Sequence, residues 1–319
     1  MQPKDIHGRR ILLSPLNWGL GHVSRCIPLI NELLSLENTV IVAGDKDQQA
    51  VFRQYFPDLK CIDHEGYPFN FKGEGRFESD LLRQFGKLKM RLRQESVQAE
   101  KYVEEHDVDI VISDHRYGFR SPKAYNILLT HQLNLPLKWY ESWVQNWHYR
   151  LIREFHEIWV PDHEDSPLSG KLSHNSKQFN VTYIGNLSRF SLYPCDEEKE
   201  IPVVAIISGP NVYGKQLLQE IIKNDNEIIV IAPRGVLKEL NLSEKRFVDS
   251  DDWKSCDALI RKAERIISRS GYSTLMDIKH LGANCELIPT PGQREQIYLK
   301  QLWDENAVCL SASQVTNKQ

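Results

Sequence analysis

Hydrophobic positions along this chain alternate between two rhythms. Short runs rich in β-branched residues, at 11–14, 39–43, 110–112 and 127–130, carry few polar positions, as in strands buried on both faces of a parallel sheet. Longer stretches with helical spacing lie between them, at 22–36 and 81–105. Trp159 and Val160, ahead of Pro161, close this first half. A charged connector at 194–200 interrupts the pattern, and then it restarts. Strands are predicted at 203–208, 227–232, 245–249, 265–268, 284–288 and 308–310, with helices near 215–222, 255–263, 274–281 and 295–305. Strands alternating with helices through both halves predict an α/β protein of two Rossmann-like domains, 1–193 and 194–319, facing each other across a cleft.

Composition narrows the function classes. A length of 319 residues is ample for two cores. A formal net charge of −3 offers no general attraction to nucleic acid. No apolar run is long enough to span a bilayer and residues 1–10 carry no apolar leader, so a cytoplasmic protein is expected. The 6 cysteines form no Cys-x-x-Cys pair and the 11 histidines show no zinc-ligand spacing, so reduced thiols and no metal site are expected.

The most informative segment runs from Arg269 to Asp277. A strand ends at Ser268, Ser270 and Gly271 make a turn, and a helix begins near Tyr272, Ser273 and Thr274. Backbone N–H groups at such a helix start suit a diphosphate. Asp277, one turn into the helix, is placed to accept hydrogen bonds from ribose hydroxyls. A second strand end follows at 289–296, where Gly292, Gln293, Glu295 and Gln296 bring amides and an acid to the sheet edge. Sugar hydroxyls both donate and accept, so these are the groups a sugar pocket needs.

Together with the preceding DALIRKAERIISRSGYSTLMDI, these two segments resemble the donor half of GT-B glycosyltransferases, above all the peptidoglycan N-acetylglucosaminyltransferase and diacylglycerol glycosyltransferase family. The resemblance implies that Asp277 holds the ribose. The family's Gln pair falls on Gln296 and Ile297, so the second Gln is missing and the family's N-acetylglucosamine preference does not carry over. Gly185-Asn186-Leu187-Ser188-Arg189 resembles the family's Gly-Asn-x-x-Arg element, which implies Arg189 at the diphosphate. Ser208 and Gly209, in another turn before a helix, are further phosphate candidates. The family's additional C-terminal helices are expected to be shorter or missing after 310.

In the first half, Gly19 and Gly21 precede His22 in a glycine loop that resembles the family's acceptor-side loop. His22 is the candidate general base, with Asp114 in VISDHRYG as its orienting carboxylate and His115 or His131 as alternatives. A dinucleotide fingerprint fits less well, since Ser24 stands where its third glycine belongs. The basic stretch 87–93 reads either as a solvated helix face or as a contact for anionic lipid headgroups. Trp139, Tyr140, Trp143 and Trp147 read as core or acceptor groove. The expectation is inverting, metal-independent transfer from a nucleotide-diphosphate sugar, acting as co-substrate with no cofactor, to a glycan or lipid-linked acceptor hydroxyl. A nucleotide-sugar hydrolase or a non-catalytic binding protein are the rivals.

Overall fold

The computed structural model describes all residues except 18, 20, 68–84, 139–140, 166, 195–196, 225–227, 243–244 and 317–319. Its strands form two sheets. The first has seven strands: β1 (Arg10–Pro15), β2 (Thr39–Gly44), β3 (Lys60–Asp63), β4 (Ile110–Asp114), β5 (Tyr125–Leu129), β6 (Glu157–Val160) and β7 (Val181–Tyr183), in the order β3-β2-β1-β4-β5-β6-β7. The second has five: β8 (Ile201–Ile206), β9 (Ile229–Ala232), β10 (Phe247–Asp249), β11 (Ala263–Ser268) and β12 (Asn284–Leu287), in the order β10-β9-β8-β11-β12. The neighbouring strands pair in parallel. The α/β class with two Rossmann-like sheets is as the hydrophobic rhythm predicts.

The helices are α1 (Gly21–Ser35), α2 (Lys46–Tyr55), α3 (Phe85–His106), α4 (Ser142–Ile152), α5 (Asn211–Asn224), α6 (Arg234–Glu239), α7 (Trp253–Arg261), α8 (Tyr272–Leu281) and α9 (Arg294–Thr316). Each central strand is buried on both faces, which is why β1, β2 and β4 read as continuous apolar runs. Leu13, Ile27, Val42 and Ile112 join one apolar core with Leu275, Met276 and Leu299, so hydrophobic packing continues from one domain into the other.

The two sheets place ligands in one predictable way. In each, strand order reverses beside the first strand: β1 lies between β2 and β4, and β8 lies between β9 and β11. Crevices at the carboxyl ends of such strands are where open α/β sheets bind ligands. Pro15 of β1 pairs with Asp114 of β4, and Ile206 of β8 pairs with Ser268 of β11. The loops that follow these four strand ends are therefore the ones that matter.

Several expectations need correction. Residues 308–310, expected as a strand, belong to helix α9. An apolar run of three has no periodicity of its own, and no Gly or Pro separates it from the helix before it. Strands β3 and β7 leave no clear apolar signature because none of their residues is fully buried. The helix expected over 81–105 is α3, and residues 81–84 lie outside the described residues. In the basic stretch, Lys89 is exposed but Arg91 is 7% exposed, its guanidinium donating to the carbonyl of Glu65 at 2.5 Å. The lipid-contact reading thus loses one of its cations. Trp143 and Trp147 fall on α4, whereas Trp139 and Tyr140 lie outside the described residues.

Candidate active site

A cleft of about 880 Å³ runs between the two domains and is lined by His22, His131, Gly209, Gly271, Ser273 and Glu295 among others. The first-domain wall is built at the ends of β1 and β4. Gly19, with a φ of +103°, makes the turn out of β1 that a side chain would strain. Helix α1 begins at Gly21, which puts His22 and Arg25 one turn apart on the same face. At the end of β4, His115 has a φ of +57°. Successive strand residues normally point to opposite sides. Here the left-handed turn lets both Asp114 and His115 bond the same guanidinium, that of Arg25.

Nδ1 of His22 lies 2.9 Å from Oδ2 of Asp114. Asp114 is fully buried, and its other oxygen accepts from Nη2 of Arg25. Burial alone pushes the Asp114 carboxyl up, but Arg25 and His22 outweigh it and hold the acid below its ordinary value. Burial, with Arg25 beside it, lowers His22 more than Asp114 raises it, so the imidazole is neutral near pH 7. His115 is lowered further, by burial and by the adjoining Arg25. Its Nε2 reaches Oγ1 of Thr130 at 3.0 Å.

His131 bridges the domains. Its ring lies against Tyr272 of α8, centroids 4.1 Å apart and planes 11° from parallel. Its Nε2 is 2.8 Å from Oε1 of Glu295 in α9. The Tyr272 hydroxyl continues across the seam, donating to the carbonyl of Pro161 at 2.6 Å. Burial pushes the Glu295 carboxyl up, and the hydrogen bond from His131 together with the electrostatic pull of His131, His22 and Arg25 outweighs it, so the acid sits below its ordinary value.

The second-domain wall carries the turn singled out in the sequence. Gly271 is the N-cap of α8, and the first amide bonded within that helix is that of Leu275, to the carbonyl of Gly271. The amides of Tyr272, Ser273 and Thr274 therefore have no partner in the helix ladder, the arrangement that suits an anion. Ser273 does not face the cleft freely: its hydroxyl donates to the carbonyl of Gly21 at 2.7 Å. Ser208 and Gly209 line the cleft ahead of α5, with Gly209 at a φ of +87°. Gly292, at a φ of +78°, turns the chain ahead of α9.

Three expected donor contacts are spent within the protein. Ser270 donates to the carbonyl of Gln296 at 2.8 Å, and the side-chain oxygen of Gln296 accepts from the amide of Thr290 at 2.7 Å. That half of Gln296 holds its own loop, while Gln293 and Glu295 line the cleft. Arg189 is bonded through Nε to Asp257 at 2.7 Å and through Nη1 to Asp277 at 2.5 Å. Asp277 also accepts from Ser188 at 2.7 Å and Ser24 at 3.4 Å. A carboxylate offers about four acceptor positions, so about one is left for a ligand hydroxyl.

Sequence reasoning named His22, Asp114, His115 and His131 but passed over Arg25, which touches all four. Its signal was present in the spacing of His22 and Arg25, three apart at a helix start. It also passed over Glu141, whose carboxylate takes Arg294 of α9 at 2.5 and 3.2 Å and ties the loop before α4 to the second domain.

A scan of protein-family models and a search of curated proteins give no match for this chain. Solved structures do resemble it. A UDP co-structure of MnaA from S. aureus is 12% identical, with 93% of this chain and 88% of that one covered and a TM-score of 0.55. The glycotransferase of kitacinnamycin is 12% identical, with 93% and 85% covered and a TM-score of 0.60. The spinosyn rhamnosyltransferase SpnG complexed with thymidine diphosphate is 16% identical, with 95% and 92% covered and a TM-score of 0.55. At this identity the likeness speaks for the fold, which is the GT-B arrangement of two Rossmann-like domains. No described helix is long and apolar enough to cross a membrane.

Proposed function

We propose that this protein transfers a sugar from a nucleotide-diphosphate sugar, UDP-linked in the first instance, to an acceptor hydroxyl, with inversion and without a metal ion. The observation that carries the reading is the His22–Asp114 pair at 2.9 Å on one wall of the cleft, opposite the open amide turn of Gly271 on the other. A base and an anion cradle facing each other across a cleft are the two halves of an inverting displacement.

In this reading the donor lies on the second domain. The amides after Gly271 and the turn at Ser208 and Gly209 take the diphosphate, and fixed dipoles stabilise the charge that develops on it. Asp277 gives its remaining acceptor position to a ribose hydroxyl. Gln293 and Glu295 read the sugar. Arg189 acts one step back, by holding Asp277. The acceptor enters from the first domain, where neutral His22 removes its hydroxyl proton as the new bond to the anomeric carbon forms and the bond to the diphosphate breaks. The solved GT-B neighbours with bound UDP or thymidine diphosphate support a nucleotide-linked donor.

Two measurements test this. A thermal-shift panel of nucleotides and nucleotide-sugars is expected to show stabilisation by one nucleoside diphosphate and its sugar conjugates, since a ligand bound to the native state alone raises its stability. No shift with any of them would remove the donor site. Incubation with the stabilising nucleotide-sugar and no acceptor is expected to release little free sugar; stoichiometric release would instead make the protein a hydrolase.

A further inference from the structure

Three imidazoles converge on one guanidinium. Nη2 of Arg25 lies 2.8 Å from Nδ1 of His22 and 3.0 Å from Nδ1 of His115, and also bonds Oδ1 of Asp114. Nη1 lies 3.2 Å from Nδ1 of His131. The ligand-type atoms of His22, Asp114 and His115 all lie within 4.8 Å of one another, a spacing that can gather a cation. The Nη2 group of Arg25 is the cation among them. Arg25 is 1% exposed and Asp114 fully buried, so water does not make up for a missing partner here.

The hydrogens can be counted. Nη2 carries two, and it has three neighbours. Asp114, held ionised, only accepts, and takes one. If Nδ1 of His22 took the second, its bare lone pair would face Oδ2 of Asp114 at 2.9 Å, and Nδ1 of His115 would be left beside a donor with no hydrogen to give. Giving the second hydrogen to His115 leaves each of the three neighbours of Nη2 with a partner. Nδ1 of His22 then donates to Asp114, and Nε2 of His115 donates to Thr130 at 3.0 Å. Nη1 supplies His131, whose Nε2 donates to Glu295 at 2.8 Å.

We propose that Arg25 is the positioning residue that imposes one proton pattern on this cluster, with the proton on Nδ1 in His22 and on Nε2 in both His115 and His131. Asp114 and Arg25 act together on His22: one accepts its proton and the other has no hydrogen left to offer it. The Nε2 lone pair of His22 is thereby left open to the cleft, while His115 and His131 have no free lone pair. One imidazole out of three can then accept a proton from an acceptor. That catalytic consequence rests on the transferase reading, whereas the proton pattern itself does not.

The test is a long-range ¹H–¹⁵N spectrum of the protein labelled in its imidazole nitrogens, with the three rings assigned by His→Gln variants. The expected result is a pyrrole-type Nδ1 and pyridine-type Nε2 for His22, and the reverse for His115 and His131. A pyridine-type Nδ1 in His22 overturns the proposal. In Arg25→Lys, which keeps the charge but loses the planar fork, the His115 and His131 signals are expected to move to averaged positions between the two tautomers. Unchanged signals in that variant also overturn it, because Asp114, Thr130 and Glu295 would then suffice. With a donor and acceptor in hand, Arg25→Lys is expected to lose on the order of 10²-fold in kcat with little change in donor KM. An inactive wild type with the expected spectrum would sink the transferase reading and leave the proton pattern standing.

Discussion

The carboxylate of Asp277 and the guanidinium of Arg189 meet at 2.5 Å where the segment of Ser188 and Arg189, ahead of the connector, converges with α1 and α8. The same guanidinium holds Asp257 at 2.7 Å, and Tyr55 of α2 donates to that acid at 2.6 Å. Two residues that sequence resemblance assigns to the ligand are thus also the fastening between the domains. One arginine balances two buried acids, so removing it is expected to cost more than removing either acid.

Arg189→Met leaves Asp257 and Asp277 buried without their cation, at 1% and 7% exposure, and is expected to destabilise by about 3–5 kcal/mol. Asp277→Ala leaves Arg189 paired with Asp257 and is expected to cost about 1–3 kcal/mol. Urea unfolding of the two variants decides the order, and the reverse order would mean the network is not balanced on Arg189. Calorimetry of Asp277→Ala with UDP is expected to show weaker binding by about 1–3 kcal/mol, as for a lost charged hydrogen bond. An unchanged affinity would confine Asp277 to the seam.

For the proposed base, His22→Ala is expected to lower turnover by about 10²–10⁴-fold while the nucleotide still stabilises the fold. Asp114→Asn turns one acceptor into an amide that can present N–H to His22, which reverses the favoured tautomer and is expected to cost on the order of 10²-fold. Steady-state rates alongside thermal shifts separate catalysis from binding. A His22→Ala variant with wild-type turnover would move the base elsewhere.

Much of this was legible from the sequence because parallel strands buried on both faces leave long apolar signatures. The strand ends then follow, and with them Asp114, Gly271 and Asp277. The misses have a common cause. Strands β3 and β7 are only partly buried, and the helix through 308–310 extends a segment whose local pattern is ambiguous. Within the site, local reading places a side chain at a strand end but not the partner that claims it. Local pattern leaves Gln296, Arg189 and Asp277 free for a ligand, yet each is engaged by a residue distant in sequence or across a loop. Arg25 escapes local reading because, His22 of its own helix aside, its partners come from the ends of two other strands, β4 and β5.

The closeness of the domains makes its own prediction. A Cβ at Gly21 would sit 3.2 Å from Oγ and 3.4 Å from Cβ of Ser273. Gly21→Ala is therefore expected to push α1 away from α8 and lower activity. Ser273→Ala removes the closer atom, and the double variant is expected to recover part of the loss. Losses that simply add would show that the two helix starts do not meet in solution in this way.

Acid is expected to unfold this protein earlier than its carboxylates alone would. His148 is buried in α4, its Nε2 donating to the carbonyl of Gln132 at 2.9 Å. Burial pulls it from its ordinary value near 6.5 down to about 4, against the two backbone carbonyls that favour the charged form. The native state then binds fewer protons than the unfolded chain between those values, so stability falls as pH drops from about 6.5 towards 4 and levels off below. The gap corresponds to about 3 kcal/mol. His22, His64 and His115 are also lowered by burial and add to the loss with the same sign. Asp114 and Glu95, held low by Arg25 and by His64 with Arg116 against their burial, subtract stability only below about 4. His148→Gln keeps a donor for the Gln132 carbonyl and carries no titrating group. Its urea midpoint is expected to fall less steeply than that of the wild type between pH 6.5 and 4, and identical slopes would mean that His148 takes up its proton in the folded state at no cost.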